Sequence, residues 1–238
     1  MKYVYQNSDI YQVLSPSFIA KFMNFTGISD ASKLMVQVNP LTVDSSEFHY
    51  SVQAKQKEII YVGRIDYNQK RVYRVIDTWA LLERKFPDWK LTIVGDGPNK
   101  KDLEDQVEQM KLKHVSFEGF QNPIKYYKRA SVLLLTSEYE GFGLVIVEGM
   151  SYGVVPIVYG SYSAVYDIIE DGIDGEILSN NQGFSAELMA DKLLKVMENP
   201  ILRNEMAQKA IAKSENYSIE SVYESWNNLF NKLKENKE

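Results

Sequence analysis

The sequence contains no cysteine and only 2 histidines among its 238 residues. Disulfide frameworks, zinc–thiolate sites and cysteine nucleophiles are therefore excluded, as is chemistry that needs several histidines. Long apolar runs are also missing: Val132–Leu135 and Leu144–Val147 fall far short of the ~20 residues of a membrane-spanning helix. The segment Met1–Gln12 has no apolar stretch of signal-peptide length. We therefore expect a cytoplasmic protein with at most peripheral membrane contact, the inner membrane face being the alternative location.

A strong charge of either sign is absent too. Lys and Arg number 27 against 32 Asp and Glu, which is a net charge of −5. This mildly acidic balance disfavours a general nucleic-acid binder. Hydrophobic residues make up 45% and charged residues 25% of the chain, the composition of an ordinary globular protein of one or two domains.

Short apolar runs alternate with longer segments of helical periodicity. Runs such as IIYV, LTIV and VLLL are continuously apolar, which is typical of parallel strands buried on both faces. We predict strands at Tyr11–Leu14, Leu34–Val38, Glu58–Val62, Lys90–Val94, Val115–Glu118, Ser131–Thr136, Val154–Tyr159 and Glu176–Leu178. We predict helices at Arg71–Lys85, Lys100–Met110, Asn122–Lys128, Leu144–Tyr152 and Tyr162–Ile169 and, after Glu187, helices alone, including Ile201–Lys213 and Ser218–Lys234. The alternation predicts an α/β fold, a doubly wound, Rossmann-like parallel sheet with C-terminal helices.

The loop Ser137–Gly143 is the most informative of the predicted strand ends, which is where ligands bind in open α/β sheets. Gly141 and Gly143 let backbone N–H groups approach a ligand without obstruction by a Cβ atom. A helix that begins near Leu144 would direct its positive end at the same place and complete an anion site. A glycine-rich turn that binds no ligand explains the same residues, so the glycines alone leave both interpretations open.

Glu148 favours the ligand-binding interpretation. It follows the apolar run Leu144–Val147, and an ionised carboxylate is rarely buried without a partner. The alternative is a solvent-facing residue of an amphipathic helix. Glu148 comes eight residues after Glu140, about 12 Å along an ideal helix, which is too far for an acid and base pair of the glycosidase kind. The spacing suits two carboxylates that contact different parts of one extended ligand.

Arg64 and Lys70 supply matching positive charge. Arg64 follows Gly63 at a predicted strand end, and Lys70 opens the next predicted helix. Either residue alone is explained as a surface charge. Together they would neutralise a diphosphate and stabilise it as a leaving group. A diphosphate flanked by two hydroxyl-binding carboxylates corresponds to a nucleotide-sugar.

Other phosphate and nucleophile motifs fit less well. The sequence has no GxGxxG and no GxxxxGK(S/T) motif, which disfavours a P-loop NTPase. Gly149–Gly153 matches GxSxG, but it ends a predicted helix and precedes a strand, the reverse of a nucleophile elbow. We interpret this segment as a helix-terminating turn, with a hydrolase as the alternative.

Several segments resemble the retaining glycosyltransferases of family 4, which have the GT-B fold. SEYEGFGLVIVEGMSYGVVPIV resembles the E-x₇-E motif of this family, and YVGRIDYNQK resembles its vGRL…K segment. VLSPSF, Val38–Pro40, TIVGDGP, FEGF and DIIEDGIDGEIL also resemble family segments, in the order and spacing of the family. The resemblance extends over nearly the whole chain.

This resemblance implies the donor-binding, C-terminal half of a two-domain GT-B enzyme. The enzyme would transfer a hexose with retention, from a UDP-sugar as the expected donor, without a cofactor or a metal. Glu140, Arg64 and Lys70 would be catalytic, Glu140 at the donor sugar and the two cations at the diphosphate. Glu148 would hold the ribose. The remaining contacts would come from Gly63 and the segment Gly141, Phe142, Gly143 and Leu144 around the diphosphate, and from Phe120 and Gln121 beside the base.

Two loops depart from the family pattern. Arg71 follows Lys70 where the family usually has glycine. In the loop that corresponds to the family's GGxPE, Tyr166 and Asp167 stand where the family has proline and glutamate. Because this loop lies near the donor in the family, the identity of the sugar stays open.

Length is a further departure. Residues 1–238 are predicted to be a single donor-binding domain, without the N-terminal acceptor domain of the family. The acceptor, a sugar or glycolipid, would then be bound by that missing domain or by a partner chain. Ser218–Lys234, with Trp226, resembles the C-terminal helix of the family, and we expect residues 232–238 to fray.

Two other functions remain open at this point. The chain could be a non-catalytic nucleotide-sugar-binding module that acts with a partner subunit. It could also be another GT-B enzyme, such as a nucleotide-sugar epimerase or a phosphorylase, although no lysine motif for a phosphorylase cofactor is evident. A module that only bound a partner would not need Arg64, Lys70, Glu140 and Glu148 together, so this set favours the transferase.

Overall fold

The computed structural model describes residues 1–235. All eight predicted strands are present in this part of the chain, and β3 and β4 have the predicted bounds. In chain order the elements are α1 (Lys2–Gln6), β1 (Tyr11–Val13), α2 (Ser17–Thr26), β2 (Leu34–Val36), β3 (Glu58–Val62), α3 (Tyr73–Ala80), β4 (Lys90–Val94), α4 (Lys100–Gln109), β5 (Val115–Gly119), α5 (Ile124–Arg129), β6 (Val132–Leu135), α6 (Leu144–Ser151), β7 (Val155–Gly160), α7 (Val165–Ile168), β8 (Glu176–Ser179), α8 (Ala186–Glu198), α9 (Pro200–Ser214) and α10 (Ile219–Glu235).

Six of the strands form a sheet in the order β5-β4-β3-β6-β7-β8. All neighbouring pairs in it are parallel, as continuously apolar strands predict. The chain runs outward from β3 to β5, returns to β6 beside β3, and continues outward to β8, so the topological switch point lies between β3 and β6. Right-handed crossovers then place α3 and α4 on one face of the sheet and α6 on the other. The prediction of a doubly wound α/β fold is confirmed.

The core lies between this sheet and its helices. Strand residues such as Ile60, Leu133 and Ile157 are fully buried, and each large aliphatic side chain contributes about 1.5–3 kcal/mol by leaving water. Helix α3 packs against α8, and α6 packs against α9. The fully buried Glu58 carboxylate in β3 is paired with the Arg129 guanidinium, whose Nε lies 2.7 Å from Glu58 Oε2.

Strands β1 and β2 form a separate two-stranded parallel sheet. The sequence predicted both strands as part of a single sheet, and it predicted neither α1 nor α2. The separate βαβ unit therefore differs from that prediction. It is tied to the rest of the chain by the segment around α10: Leu41 N donates to Tyr217 O at 2.7 Å, and Ser225 Oγ donates to Gln37 Oε1 at 3.0 Å.

Several helix bounds differ from their predictions. The predicted helix Arg71–Lys85 is shorter, since α3 ends at Ala80 and turns follow, and Tyr162–Ile169 is reduced to the single turn α7. Helix α9 begins at Pro200, where a missing N–H is harmless. Helix α10 continues to Glu235, into the segment predicted to fray, and residues 236–238 lie outside the described residues.

Candidate functional site

Two adjoining cavities lie at the carboxyl ends of the strands that flank the switch point. Their volumes are 910 Å³ and 400 Å³. Glu148 lines both, so the cavities form one continuous cleft. Together their linings contain all the residues that the sequence singled out as site residues, namely Gly63, Arg64, Lys70, Phe120, Gln121, Glu140, Glu148 and Gly141–Leu144.

The smaller cavity ends at the first turn of α6. Gly143 precedes this helix with φ 102°, a left-handed conformation that favours glycine. The first N–H groups of a helix have no partner within it and carry its positive end, so α6 directs hydrogen-bond donors at the cavity. Gly141 differs: its φ is not positive, and a Cβ atom there would meet nothing within 4 Å. The fold therefore does not require glycine at 141.

The floor of the larger cavity is a close approach of two backbone loops. Gly95 has φ 154°, and a Cβ atom added to it would lie 1.8 Å from Gly63 O. A Cβ atom at Gly97 would lie 2.1 Å from Ile65 O, while Ile65 N donates to Asp96 O at 2.8 Å. Glycine at 95 and 97 thus allows the ends of β3 and β4 to touch beneath the cleft.

Lys70 and Glu140 form an ion pair inside the smaller cavity. Lys70 Nζ lies 2.6 Å from Glu140 Oε1, and Ser137 Oγ donates to the same oxygen at 2.7 Å. The side chains of Lys70 and Glu140 are 17% and 8% exposed, so water and salt screen the pair weakly. Asp66 Oδ1 accepts the backbone N–H of Lys70 at 3.1 Å, which fixes the turn that carries the lysine.

Arg64, the other predicted cation, is held loosely. Its side chain is 69% exposed, and its Nε lies 3.9 Å from Asp66 Oδ2. An exposed pair at this distance contributes little free energy. The guanidinium lines the larger cavity and can turn toward a ligand at small cost.

Glu148 lies on α6 at the junction of the two cavities, with both carboxylate oxygens engaged. Oε1 accepts from Thr42 Oγ1, and Oε2 accepts from Tyr127 OH at 2.9 Å. Burial, and next the charge of Glu148, raise the pKa of Tyr127 well above its usual value. Lys55 Nζ donates to Tyr127 O at 2.8 Å, and burial lowers the pKa of Lys55 to about 7. Glu140 lies in the loop before α6, so the helical estimate of its distance from Glu148 does not apply.

Sequence reasoning missed Thr42, Tyr127 and Lys55. Thr42 and Tyr127 contact Glu148 from 106 and 21 positions away, and Lys55 contacts the Tyr127 carbonyl from 72 positions away. No local spacing signals such contacts, because they are created by the crossover geometry of the fold. The segment that contains Thr42 does follow directly on Val38–Pro40, which the sequence had marked as a family segment.

Phe120 stands at the mouth of the larger cavity. It follows β5, and it is 88% exposed. Gln121 beside it is also exposed. An exposed aromatic face at a cavity edge is suited to stacking on a planar ligand.

Arg71 adopts a left-handed backbone conformation, which explains why the family that this chain resembles usually has glycine at the position. Its φ is 51°, a region that is costly for a residue with a Cβ atom. The Arg71 carbonyl stabilises the turn, because it accepts hydrogen bonds from Thr136 Oγ1 at 3.1 Å and from Arg74 N at 2.9 Å. Its guanidinium Nη1 donates to Tyr73 OH at 3.3 Å.

We expect Arg71→Gly to be more stable than Arg71→Ala by about 1 kcal/mol, because alanine keeps the strained φ whereas glycine relieves it. Both variants lose the same guanidinium contacts, so alanine is the matched control. Urea unfolding measures the difference. Equal stabilities would show that the backbone carries no strain at this position.

Asp167, which stands where the resembled family has glutamate, is not among the residues that line either cavity. Its Oδ2 accepts from Ser15 Oγ and, at 3.1 Å, from the backbone N–H of Ser17. Ser17 Oγ also donates to Ser163 Oγ at 2.9 Å. Asp167 therefore joins the main sheet to the βαβ unit at the start of α2.

The GxSxG segment is a helix end. Ser151 is the last residue of α6, and its Oγ donates to Glu148 O at 2.8 Å. Gly153 then turns the chain with φ 68° before β7 begins. The interpretation as a helix-terminating turn is confirmed.

No group of three or more His, Cys, Asp or Glu side chains in residues 1–235 could hold a metal ion. Over the same range, no helix is both long enough and apolar enough to cross a membrane.

The family model described as Glycosyl transferases group 1 matches residues 44–213. This stretch includes the whole six-stranded sheet and the loops that carry Lys70, Glu140 and Glu148. The chain therefore belongs to the group 1 glycosyl transferases.

Curated relatives include glycosyltransferases that are longer than this chain. The amylovoran biosynthesis glycosyltransferase AmsD of Erwinia amylovora is 31% identical over 181 residues, which cover 74% of this chain and 49% of AmsD. The poly(ribitol-phosphate) alpha-N-acetylglucosaminyltransferase of Staphylococcus aureus is 26% identical over 233 residues, covering 97% of this chain and 46% of the relative. The chain thus spans about half the length of the curated relatives it matches.

Solved structures share the fold. A mutant of S. aureus TarM, crystallised with UDP, fondaparinux and alpha-GlcNAc-glycerol, is similar with a TM-score of 0.81 and 26% identity, over 97% of this chain and 46% of TarM. HepE of Anabaena, in complex with UDP, is similar with a TM-score of 0.83 and 18% identity, over 96% of this chain and 65% of HepE. The GtfA/B complex gives 0.86 at 18% identity, over 98% of this chain and 48% of that chain. These likenesses confirm the GT-B type of fold.

Proposed function

We propose that this chain is the donor-binding half of a retaining glycosyltransferase of family 4, which transfers a hexose from a nucleotide-diphosphate sugar to an acceptor. The observation that carries the proposal is the single cleft at the switch point, where a helix N-terminus and Lys70 lie next to Glu148. A nucleotide-sugar has an anionic centre between two hydroxyl-bearing ends, which matches these groups. A UDP-sugar is the proposed donor, and the relatives TarM and HepE were crystallised with UDP.

The diphosphate is proposed to lie in the smaller cavity against the first turn of α6. The backbone N–H groups of Phe142, Gly143 and Leu144 lie at the positive end of this helix, a favourable place for phosphate. Lys70 and Arg64 would add charge-assisted hydrogen bonds. The same groups would stabilise the negative charge that develops on the departing diphosphate, which is where catalysis gains most.

The nucleoside is proposed to lie in the larger cavity, whose 910 Å³ is within the range of small-molecule sites. Glu148 would accept hydrogen bonds from the ribose hydroxyls. Thr42, which is exposed, is the partner of Glu148 that a ribose hydroxyl can displace, while Tyr127 keeps the carboxylate in place. Phe120 would stack on the base, with Gln121 beside it.

The donor sugar is proposed to contact Glu140 at the inner end of the smaller cavity. A second wall must hold the acceptor, a sugar or glycolipid, at the reacting carbon, because transfer depends on aligned reactants. That wall would come from an N-terminal domain or from a partner chain. The proposed reaction uses the nucleotide-sugar as substrate and needs neither a cofactor nor a bound metal, since cationic side chains and a helix end serve the leaving group.

A nucleotide-sugar-binding module that acts with a partner subunit is the second candidate. The likeness to the GtfA/B complex favours it, because that fold occurs there in a two-component assembly. Incubation with a UDP-sugar and sugar or glycolipid acceptors, with and without a co-purified partner, separates the candidates. Because the acceptor wall is proposed to lie outside this chain, transfer is expected only with the partner. Transfer that Lys70→Ala in this chain strongly lowers supports the enzyme, and transfer that the change leaves intact supports the binding module. Hydrolysis or a changed sugar would indicate another GT-B reaction such as epimerisation.

Glu148→Gln is expected to weaken UDP binding by about tenfold while inorganic pyrophosphate binding stays unchanged. The carboxylate would contact only the ribose, and a hydrogen bond to a charged group contributes about 1.5–3 kcal/mol. Isothermal titration calorimetry with both ligands measures the two affinities. Glu108→Gln, on the exposed side of α4, is the matched control and should change neither. Equal losses for UDP and pyrophosphate in Glu148→Gln would contradict the ribose assignment, and no binding of UDP, GDP or ADP to the wild-type chain would contradict the proposed function.

A further inference from the structure

Two side chains that the proposed function directs at the donor are bound to each other. Lys70 Nζ and Glu140 Oε1 lie 2.6 Å apart, with both side chains largely buried. Ser137 Oγ, which donates to the same Oε1 at 2.7 Å, keeps the carboxylate beside the lysine. Glu140 thus occupies the position at Lys70 that an anionic ligand would take.

Binding of a diphosphate to Lys70 is unfavourable while the Glu140 carboxylate remains beside the lysine. Two like charges within ~4–6 Å disfavour each other strongly in a poorly solvated site. Glu140 must therefore move away from Lys70, and a buried carboxylate that moves needs a new hydrogen-bond donor.

Tyr162 offers such a donor. It follows β7 and is 6% exposed, and its hydroxyl is one of the buried polar groups without a hydrogen-bond partner among the described residues. The hydroxyl lies against the start of α6, 3.0 Å from the position of a Cβ atom built on Gly143. Burial, and next the charge of Glu140, raise the pKa of Tyr162, which places the carboxylate within electrostatic range. The loop of Tyr162 is fastened to the loop of Glu140, since Ser161 Oγ donates to Ser137 O at 2.6 Å.

We propose that Glu140 holds Lys70 as an internal substitute for the donor diphosphate, and that Tyr162 is the positioning residue that accepts the displaced carboxylate as its hydrogen-bond partner when the diphosphate binds. This inference rests on the proposed function of the cleft. The movement exchanges one anion for another at Lys70. When the product diphosphate leaves, the Lys70–Glu140 pair forms again, which favours release.

Inorganic pyrophosphate tests this exchange, because it has no sugar or ribose. We expect Glu140→Gln to bind pyrophosphate about tenfold more tightly than the wild-type chain, since the competing charge at Lys70 is gone. Tyr162→Phe removes only the hydroxyl, and we expect it to bind pyrophosphate several-fold more weakly. In the Glu140→Gln background the same Tyr162→Phe change should alter the affinity for pyrophosphate little, because no carboxylate is displaced from Lys70. Thermal unfolding of each variant without ligand separates these effects from a general loss of stability.

Four results distinguish the possibilities. Tighter pyrophosphate binding by Glu140→Gln, with coupling to Tyr162→Phe, supports the proposal. Unchanged or weaker binding by Glu140→Gln overturns it, as does an equal effect of Tyr162→Phe in both backgrounds, which a merely structural tyrosine would produce. If the wild-type chain binds neither pyrophosphate nor UDP, the proposed function itself fails. If the wild-type chain binds pyrophosphate but the two substitutions show no coupling, only the proposed exchange fails.

Discussion

Replacement of Lys70 by alanine is expected to weaken UDP and pyrophosphate binding equally, each by about 10- to 100-fold. The ammonium is proposed to form a charge-assisted contact with the diphosphate, which both ligands contain. The loss should lie toward the upper end of this range, because the 8% exposed carboxylate of Glu140 would remain in the cavity without its counter-charge and would repel the phosphates. Calorimetric titration with the two ligands measures both affinities.

Lys101→Ala is the matched control for this change. Lys101 lies on α4 with a 77% exposed side chain, paired with Asp105 at 2.6 Å, so its removal should leave both affinities unaltered. The additional change Glu140→Gln in the Lys70→Ala chain should recover stability, since it removes the unpaired buried charge. An affinity for pyrophosphate that Lys70→Ala leaves intact would exclude the lysine from the diphosphate site.

Replacement of Gly95 by alanine is expected to destabilise the fold by about 4 kcal/mol, since strain at an unfavourable φ and overpacking each cost about 1–3 kcal/mol. The added Cβ atom would lie 1.8 Å from Gly63 O. Neither the Gly63 nor the Gly95 backbone can move away easily, because both residues directly follow adjacent paired strands. Urea or thermal unfolding measures the loss, and the cleft floor should be distorted in any molecule that does fold.

Gly141→Ala is the control with the opposite pattern. Its Cβ atom would meet no protein atom within 4 Å, so stability should change by less than about 1 kcal/mol. Because Gly141 lines the smaller cavity, the new methyl group stands where the diphosphate is proposed to lie, and affinity for pyrophosphate should fall. Equal stability of the Gly95→Ala and wild-type chains would contradict the close approach of the two loops.

The main sheet was predictable because its strands are short, continuously apolar and separated by helical periodicity. That pattern depends on burial of both strand faces, which the four central strands β4, β3, β6 and β7 share. The βαβ unit was less predictable. Its two strands are three residues long each, and α2 begins at Ser17 directly after Pro16, a pair that is typical of a turn. Helix lengths were overestimated where turns continue the apolar spacing, as they do after Ala80.

The site residues were predictable as a set, but their contacts with each other were not. Charges at strand ends and beside glycines identified Lys70 and Glu140, and the apolar run that precedes it identified Glu148. The Lys70–Glu140 pair joins residues 70 positions apart, and only the adjacency of β3 and β6 brings them together. The role of Asp167 at the start of α2 was hidden for the same reason, since its partners precede it by about 150 positions.

Hydrogen exchange in the presence of UDP tests the proposed donor site, because it locates the ligand on the chain. We expect UDP to slow exchange in three segments of the cleft, residues 63–70, 119–122 and 139–148, and we expect Lys70→Ala to abolish this protection. Grooves between β2 and α10 offer the alternative location, lined by Met35, Leu229 and Lys232. Protection of residues 33–37 and 225–233, with the three cleft segments unchanged, would show that UDP does not bind in the cleft.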